Sequence, residues 1–450
     1  MIDGLGPYPA YKDAGAPWIG RVPHDWDVLR ARNLMREVDV RSKTGAETHL
    51  SMSQRLGLVP SAEMNERHLV SESYVGAKLC EVNDLVLNRL KAHLGVFARA
   101  SQPGLVSPDY TVLRRVSDSV SIAFLEYVLK SWPCRTELRT RAKGLVEGFW
   151  RLYTDDFYQI KLPAPPISEQ NAIVRFLNYE DRQIRRYVRA KKKLIGLLNE
   201  QRQKAIHRAM TTGIDPGVDL RSSGVEWLGD IPHHWEVKRL KWAVRLQRGY
   251  DLPSERRLPG AYPVVSSGGE IGFHSEFRSR GPGVVMGRYG STDAVFYVES
   301  DFWPHNTALF VTDFQGNRPR WCYFLLRTIS KADHSGKSAV PGVDRKDLYE
   351  IEVAVPPASE QDAIVTWIEA TIAIADRAIA RMEQEVTLLR DYRNRLIADV
   401  VTGKLDVREA AARLPDHLED SDHAGFEDVA IEDEGGDLSE LGTVEEEAEA

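Results

Sequence analysis

Apolar side chains recur at alternating intervals of three and four residues in two long stretches of the chain, which begin at Ser168 and Ser359. The first stretch has no proline up to Met210, and its one glycine is Gly196. This spacing aligns apolar residues along one side of a helix, and about 43 residues at ~1.5 Å each span roughly 65 Å. The pattern therefore predicts two long helices. Their apolar positions are Ile173, Leu177, Ile184, Val188, Ile195, Leu198 and Ile206 in the first helix, and Ile364, Ile368, Ala375, Ile379, Met382, Val386, Leu389 and Ile397 in the second.

The apolar side of each predicted helix is narrow, so it needs a matching stripe to cover it. The simplest solution is that the two helices pair as an intramolecular antiparallel coiled coil. The alternative is that each helix packs separately against its own domain. The basic run "RRYVRAKKK" at 185–193 lies on the first helix and is more typical of a solvated face than of a DNA site.

The parts of the chain outside these helices, roughly 28–160 and 238–350, contain both strand-like and helix-like patterns of apolar residues. The segments "DLVLNRLKAHLGVFARA" at 84–100 and "GVVMGRYGSTDAVFYVES" at 283–300 combine strand-like apolar positions with a polar turn that contains glycine. Each predicts a β-hairpin. The segments "SIAFLEYVLKSW" and "RWCYFLLRTISKA" then predict a short amphipathic helix after the strands in each part.

The chain also repeats itself in sequence. The hexapeptides "PPISEQ" at 165–170 and "PPASEQ" at 356–361 precede the two long helices, and "PWIGRVPHDWDVLR" at 17–30 matches "EWLGDIPHHWEVKR" at 226–239. The prolines end the preceding element, and the serine that follows is expected to cap the helix, with the glutamate in its first turn. At the other ends, the glycines of "TTGID" and "VTGKLD" suit a left-handed helix stop. A duplicated frame that holds two different inserts suggests one scaffold with two different readers.

Composition excludes several classes of protein. With 42% hydrophobic and 28% charged residues in 450, the chain is typical of a soluble globular protein of two to four domains. Neither a signal peptide nor an apolar run of ~18 residues is present in the sequence, so we expect a cytoplasmic protein with no membrane partner. The three cysteines are far apart and form no CxxC pair, which argues against disulfides and a zinc site.

The charge is unevenly distributed. From Asp416 onward there are 15 acidic residues and no lysine or arginine, so the net charge of −7 becomes +8 for residues 1–415. The acidic segment has few large apolar residues and predicts a disordered tail. The rest is modestly basic, which is compatible with a polyanionic partner.

No catalytic motif in the sequence is complete. The segment "HSGKS" at 334–338 lacks the leading glycine of a phosphate loop, since Lys331 occupies that place. "SPDY" at 107–110 resembles the motif of amino-methyltransferases, but Asp109 replaces its second proline. The histidines form neither an HExxH pair nor a deaminase set. We therefore expect no catalytic residue, metal or cofactor.

What remains is a set of basic and polar residues near the predicted turns and before each hexapeptide. Such side chains suit contacts with phosphates and base edges. The candidate DNA-binding residues are Arg89, Lys91, His93, Arg151, Arg288, Tyr289, Ser291, Lys337 and Ser338.

The duplicated frame resembles the specificity subunit of Type I restriction-modification systems. The resemblance rests on "LPAPPISEQNAIVRFL", "VAVPPASEQDAIVTWI", the helices that follow, their "TTG" and "VTG" ends, and the segments "WIGRVPHDW" and "WLGDIPHHW". It implies a DNA-binding subunit without catalytic residues, in which two target recognition domains each read half of a split double-stranded DNA target. It also implies docking of two adenine methyltransferase subunits and of restriction subunits with translocase and endonuclease activity.

The resulting expectation is an α+β protein with a pseudo-twofold repeat, in which two mixed α/β target recognition domains are separated by two long helices forming an antiparallel coiled coil. The acidic tail lies outside the family pattern. Two other hypotheses remain open, a self-contained DNA methyltransferase or nuclease with duplicated recognition domains, and a coiled-coil scaffold that does not bind nucleic acid. The expected segments are 1–27 (N-terminal segment), 28–166 (recognition domain 1), 167–212 (central helical spacer), 213–237 (linker and repeat of the N-terminal segment), 238–357 (recognition domain 2), 358–403 (C-terminal helical spacer) and 404–450 (acidic tail).

Overall fold

The computed structural model describes residues 5–53, 57–64, 74–144, 150–288, 294–330 and 345–415. The chain divides into two units. Unit 1 is formed by 1–191 together with 384–450, and unit 2 by 192–383. The acidic tail predicted from Asp416 onward lies outside the described residues.

Both units combine short strands with helices, as an α+β fold requires. The helices are α1 (Ala31–Leu34), α2 (Ile122–Lys130), α3 (Trp132–Arg141), α4 (Thr154–Tyr158), α5 (Ile167–Thr212), α6 (Pro319–Ser330), α7 (Arg345–Glu350), α8 (Ala358–Val401) and α9 (Arg408–Ala412). The strands of unit 1 are β1 (Tyr11–Asp13), β2 (Arg21–Pro23), β3 (Asp27–Arg30), β4 (Met35–Glu37), β5 (Leu50–Ser53), β6 (Gly57–Pro60), β7 (Lys78–Cys80), β8 (Leu85–Asn88), β9 (Phe97–Arg99), β10 (Gly104–Val106), β11 (Tyr110–Arg115) and β12 (Lys161–Ala164). Those of unit 2 are β13 (Leu220–Ser222), β14 (Asp230–Pro232), β15 (Glu236–Arg239), β16 (Arg245–Arg248), β17 (Tyr262–Ser266), β18 (Gly269–His274), β19 (Gly283–Gly287), β20 (Val295–Val298), β21 (Trp303–Pro304), β22 (Ala308–Asp313) and β23 (Glu352–Val355).

The central sheets of the two units have the same plan. Unit 1 has the order β4-β11-β8-β9 and unit 2 the order β16-β22-β19-β20, with every pairing antiparallel. The predicted hairpins are confirmed as β8–β9 and β19–β20, and the predicted short helices as α2 and α6. We call the matching stretches 17–30 and 226–239 the Trp-Pro-Trp segments of units 1 and 2. Each unit pairs a strand from its Trp-Pro-Trp segment with the strand before its hexapeptide, as β3–β12 and β15–β23. The repeat seen in the sequence is therefore a repeat of structure.

The glutamates of the two hexapeptides explain why the sequence repeats. In unit 1, Glu169 accepts a hydrogen bond of 3.0 Å from the indole Nε1 of Trp26, which is fully buried. In unit 2, Glu360 accepts the equivalent bond of 3.1 Å from Trp235. A buried indole N–H needs an acceptor. The tryptophan of the Trp-Pro-Trp segment and the glutamate of the hexapeptide must therefore occur together in both units.

The glutamines of the hexapeptides make a second repeated connection. Gln170 accepts from the backbone N–H of Ser121 at 2.8 Å, immediately before α2, and donates to the carbonyl of Pro165 at 2.8 Å. Gln361 accepts from the backbone N–H of Arg318 at 2.8 Å, immediately before α6. Each long helix is thereby tied to the start of the short helix in its own unit.

The serine of each hexapeptide does not cap its helix, so this expectation is wrong. Helices α5 and α8 begin one residue earlier, at Ile167 and Ala358, which places Ser168 and Ser359 inside the first turn. The first intrahelical bonds instead reach the carbonyl of the preceding proline, as from the N–H of Gln170 to Pro166 at 3.0 Å. The glutamates do lie in the first turn, as predicted.

The predicted helix stops are confirmed at both glycines. Gly213 and Gly403 have φ values of +78° and +75°, a left-handed conformation that side chains with a Cβ rarely adopt. Space is also restricted at Gly403, where an added Cβ would lie 2.3 Å from Cδ of Pro23. The end of α8 therefore packs tightly on the N-terminal Trp-Pro-Trp segment in unit 1.

The apolar stripes of α5 and α8 pack in both of the ways considered. One part of each stripe pairs with the other helix, and another part packs against a domain core. In unit 1, Ile184 and Val188 of α5 pack with Val386 and Leu389 of α8, and Asp181 pairs with Arg393. This is antiparallel helix pairing of the predicted kind. The outer positions instead enter the domain cores, with Ile173 and Leu177 in that of unit 1, and Ile206, Ile364 and Ile368 in that of unit 2.

The Asp181 carboxylate should make this helix pairing dependent on pH. Burial alone would raise the pKa of Asp181, but Arg393 and Arg185 outweigh it and lower that pKa below its usual range. A carboxylate whose pKa is lower in the folded than in the unfolded protein stabilises the fold. This stabilisation is fully present above the unfolded pKa of ~3.9 and is lost as the pH falls through the folded pKa. We expect Asp181→Asn to lower the free energy of unfolding by about 1–3 kcal/mol at neutral pH, with a smaller difference below about pH 4.

Urea unfolding of the unsubstituted protein and of Asp181→Asn, measured from neutral pH to below about pH 4, checks the prediction. The control is Glu200→Gln, which removes an exposed pair with Lys204 on the same helix and should change little. A pH-independent loss of stability in Asp181→Asn would show that the carboxylate acts by packing alone.

Candidate nucleic-acid interface

Arg89 lies at the end of β8 and is held by the sheet. Its Nε donates to Oγ1 of Thr111 at 2.7 Å, and its Nη2 lies 3.2 Å from Oε1 of Glu37. Glu37 also lies 3.5 Å from Nζ of the buried Lys78 and accepts from Thr154 at 2.8 Å. One carboxylate thus holds two cations, and the side chain of Arg89 is 24% exposed. Its guanidinium can present only part of its donor set to a ligand.

The first hairpin turn and the segment around Arg151 come together. The N–H of Leu152 donates to the carbonyl of Arg89 at 3.0 Å, and Arg151 exchanges backbone hydrogen bonds with Lys143. Lys91 is exposed at the start of a one-turn helix in the hairpin. Of the predicted residues in unit 1, Arg89, Lys91 and Arg151 therefore share one edge, whereas the side chain of His93 lies outside the described residues.

Helix α3 adds basic residues that the sequence analysis missed. Arg135 packs beside Gly95 of the hairpin turn, with its Cδ 3.3 Å from where a Cβ would stand. The guanidinium of Arg139 lies over the ring of Trp150 at 5.2 Å. The signal was present, because "WPCRTELRTR" places these arginines four residues apart, on the side of the helix next to the buried Cys134 and Leu138.

In unit 2 the predicted set is only partly described. Arg288 follows β19, and its N–H donates to the carbonyl of Thr307 at 3.2 Å. The other predicted residues, Tyr289, Ser291, Lys337 and Ser338, lie outside the described residues.

The neighbours of Arg288 form a polar loop pair that the sequence analysis did not identify. Segment 247–251 packs on segment 303–307, and a Cβ added to Gly249 would lie 2.1 Å from the carbonyl oxygen of His305. Arg248 donates to the carbonyl of Asn306 at 3.2 Å, and the amide of Asn306 donates to Asp251 at 2.6 Å. No sequence motif marks these loops, since their proximity depends on β16 and β22 being neighbours.

These groups have side chains of the kinds that can contact nucleic acid. Burial first, and then Arg257, lower the pKa of His305, so its imidazole is neutral at pH 7 and can both donate and accept. Guanidinium, amide and imidazole groups read base edges and phosphates. The three cysteines are buried, and burial raises the pKa of Cys80 to about 11, which suppresses its thiolate.

The described ranges contain no group of three or more histidine, cysteine, aspartate or glutamate side chains arranged to hold a metal ion. Within the same ranges, no helix has the length and apolar character needed to cross a membrane.

Known proteins share both sequence and fold with this chain. Residues 232–388 match the family model described as the Type I restriction modification DNA specificity domain. The putative type I restriction enzyme MjaX specificity subunit of Methanocaldococcus jannaschii is 21% identical over 423 residues, which cover 87% of this chain and 96% of that protein. The type I restriction enzyme MjaVIII specificity subunit of the same organism is 24% identical over 235 residues. That match spans about half of each chain.

Solved structures extend the similarity to the fold. A chain from the work described as the structural basis of complex assembly and conformational transition of the type I R-M system has a TM-score of 0.67 at 15% identity, and the match covers 84% of this chain and 98% of that one. The HsdS subunit from Thermoanaerobacter tengcongensis has a TM-score of 0.51 at 15% identity, with 85% and 98% covered. The family match, the relatives and the shared fold together make this chain similar to the specificity subunits of type I restriction-modification systems.

Proposed function

We propose that this chain reads a bipartite DNA target, with one recognition domain in each unit, and that it performs no chemistry itself. One observation carries the proposal. The same frame, held by the Trp26–Glu169 and Trp235–Glu360 hydrogen bonds, supports two inserts that differ in sequence and in their additional strands. Different inserts on one frame suit the reading of two different half-sites.

The repeated frame also suits two copies of one partner. A frame that occurs twice in one chain offers equivalent surfaces to two identical subunits. We infer that two adenine methyltransferase subunits dock along the helices, that restriction subunits join for cleavage, and that the complex acts on double-stranded DNA in the cytoplasm. The methyltransferases supply the cofactor and the catalytic residues.

Methyl-transfer assays separate this proposal from its alternatives. The chain alone should transfer no methyl group to DNA, and the chain with its methyltransferase partner should methylate a split target. Activity of the chain alone would establish a self-contained enzyme. Failure of the assembled complex to bind DNA would leave a scaffold without a nucleic-acid function.

Exchange of residues 28–160 for the same segment of a relative should change one half-site only. The reason is that this segment forms its own sheet, β4-β11-β8-β9, inside unit 1. Sequencing of methylated sites in cells that carry the exchanged gene provides the measurement. A change in both halves of the target would show that the two domains read DNA jointly.

Replacement of Lys91 or Arg288 by alanine should weaken binding of the specific target by about 1–3 kcal/mol, because base contacts of this kind carry that much discrimination. Binding of specific and random duplexes by the assembled complex, measured over a salt series, tests this. Lys193→Ala provides the control, since Lys193 is an exposed lysine on α5. Equal losses on both duplexes would make these residues phosphate contacts.

Arg89→Ala has a different expected signature. Because Arg89 is bound to Glu37 and Thr111, its loss should also disturb the position of the hairpin turn that carries Lys91. We therefore expect a comparable loss of specific binding together with a lower free energy of unfolding, which Lys91→Ala should not show.

A further inference from the structure

Four arginines lie in a row along one side of α5 in unit 1. Arg175, Arg182, Arg186 and Arg189 are spaced by seven, four and three residues. At 3.6 residues per turn, these positions fall within about 60° of one another around the helix axis. Arg182 and Arg186 are exposed, and Arg175 and Arg189 are half-buried. We call this row the arginine stripe.

The arginine stripe lies opposite the side of α5 that packs against the rest of unit 1. Four buried positions of the same helix segment are about half a turn away from the stripe. They join either the domain core or the contact with α8, and they are Ile173, Leu177, Ile184 and Val188. Phe176, which is also buried in the core, lies about 100° from Arg175 around the helix. The stripe therefore faces away from the helix pair rather than into it.

The described part of the chain ends at one end of this stripe. Nη2 of Arg175 donates to the carbonyl of Leu414 at 2.6 Å and lies 3.2 Å from the carbonyl of Pro415. The next residue is Asp416, with which the acidic segment begins. The last described residue, Pro415, therefore lies at the Arg175 end of the arginine stripe.

The charge and reach of the segment match the stripe. Residues 416–450 contain 15 carboxylates and no lysine or arginine, and four of the carboxylates are in the first seven residues, at Asp416, Glu419, Asp420 and Asp422. Seven extended residues reach about 23 Å. The stripe runs about 21 Å, for 14 residues at ~1.5 Å each.

We propose that residues 416–422 dock on the arginine stripe of α5 and cover it. The contact is intramolecular, so even a few weak ion pairs benefit from a high effective concentration. An uncovered row of arginines would attract any nucleic acid, and a covered row does not. The segment thus keeps sequence-independent DNA binding off the helix and leaves the recognition surfaces exposed. This inference concerns the tail and α5 and does not depend on which bases the chain reads.

Photocrosslinking of the full chain tests where the segment lies. With p-benzoylphenylalanine in place of Leu418, we expect crosslinks to residues 175–189 of the same chain, identified by mass spectrometry. Placement at Leu441, beyond the docked residues, should give few crosslinks there. Crosslinks to the recognition surfaces, or to no defined region, would overturn the proposal.

Binding of a random duplex tests what the docking does. Neutralising the segment (Asp416→Asn, Glu419→Gln, Asp420→Asn and Asp422→Asn) in the full chain should tighten random-duplex binding about tenfold at ~0.1 M salt. The same neutralisation should have little effect in a chain that also carries Arg182→Gln, Arg186→Gln and Arg189→Gln. An equal gain in both backgrounds would mean that the segment acts through net charge alone, and the proposal would be wrong.

Discussion

Replacing Trp26 by alanine should lower the free energy of unfolding by about 3–5 kcal/mol, the usual cost of deleting a fully buried tryptophan ring. Trp26 is fully buried and packs edge-on against Phe124 and Tyr8, with ring centroids 6.5 and 5.7 Å away. Its indole also donates to Glu169 at the start of α5. The substitution therefore disturbs the Trp-Pro-Trp segment, helix α2 and helix α5 together.

The hydrogen bond can be separated from the packing. Trp26→Phe retains an aromatic ring but removes the N–H, so Oε1 of Glu169 keeps only the hydroxyl of Tyr8, at 2.6 Å. Burial and then Glu169 raise the pKa of Tyr8, which keeps this hydroxyl protonated and donating. We expect a loss of about 1–3 kcal/mol, the cost of a lost partner at a buried polar group.

Unit 2 provides the matched comparison, and an exposed tryptophan provides the control. In unit 2, Glu360 would keep His234, whose Nε2 lies 2.8 Å away, if Trp235→Phe removed the indole N–H. A loss similar to that of Trp26→Phe is expected. Trp132 is 60% exposed, so Trp132→Ala should change stability little. Urea denaturation of these four tryptophan variants measures the changes in the free energy of unfolding. Equal losses in Trp26→Ala and Trp132→Ala would show that the buried tryptophan does not hold the Trp-Pro-Trp segment and the long helix together.

Much of the architecture could be predicted because its signals are local or repeated. Apolar spacing identified α5 and α8, and strand-like patterns around polar turns identified the hairpins β8–β9 and β19–β20. The repeat predicted that the two hexapeptides have the same structural role at the start of the long helices. It could not show which atoms the glutamates bind, because Trp26 and Glu169 are 143 residues apart in the chain.

The candidate interface was less predictable for the same reason. Arg89 was chosen because it lies near a turn, but its contact with Glu37 joins residues 52 positions apart. The pairing of segments 247–251 and 303–307 likewise follows from neighbouring strands. Short strands such as β5, β7 and β21 carry too few residues for a periodic signal, so the differences between the two inserts were not visible in the sequence.

Inserting four residues into α5 after Gly196 should lengthen the unspecified spacer of the DNA target by one or two base pairs and leave both specified blocks unchanged. Four residues add about 6 Å of helix at ~1.5 Å each, and base pairs stack at ~3.4 Å. Gly196 suits the insertion because it is exposed and a Cβ there would meet no atom within 4 Å. Four residues also turn the helix about 40° beyond a full turn, so some loss of activity is expected.

The insertion needs two companion variants. Gly196→Ala favours the helix without lengthening it, so it should leave the spacer unchanged. A second variant carries the insertion in α5 together with four more residues in α8, between Asp376 and Glu385, so that both helices are lengthened by the same amount. It should recover activity with the longer spacer, because Asp376 pairs with Arg202 in unit 2 and Glu385 with Lys191 in unit 1.

Sequencing of methylated sites distinguishes the outcomes. If helix length sets the separation of the two readers, the longer spacer must appear whenever the insertion mutant is active, since a rigid helix transmits added length and a flexible linker does not. An active mutant that still methylates the original spacing would show that the separation is fixed elsewhere. In that case α5 and α8 would serve only as the platform on which the methyltransferases dock.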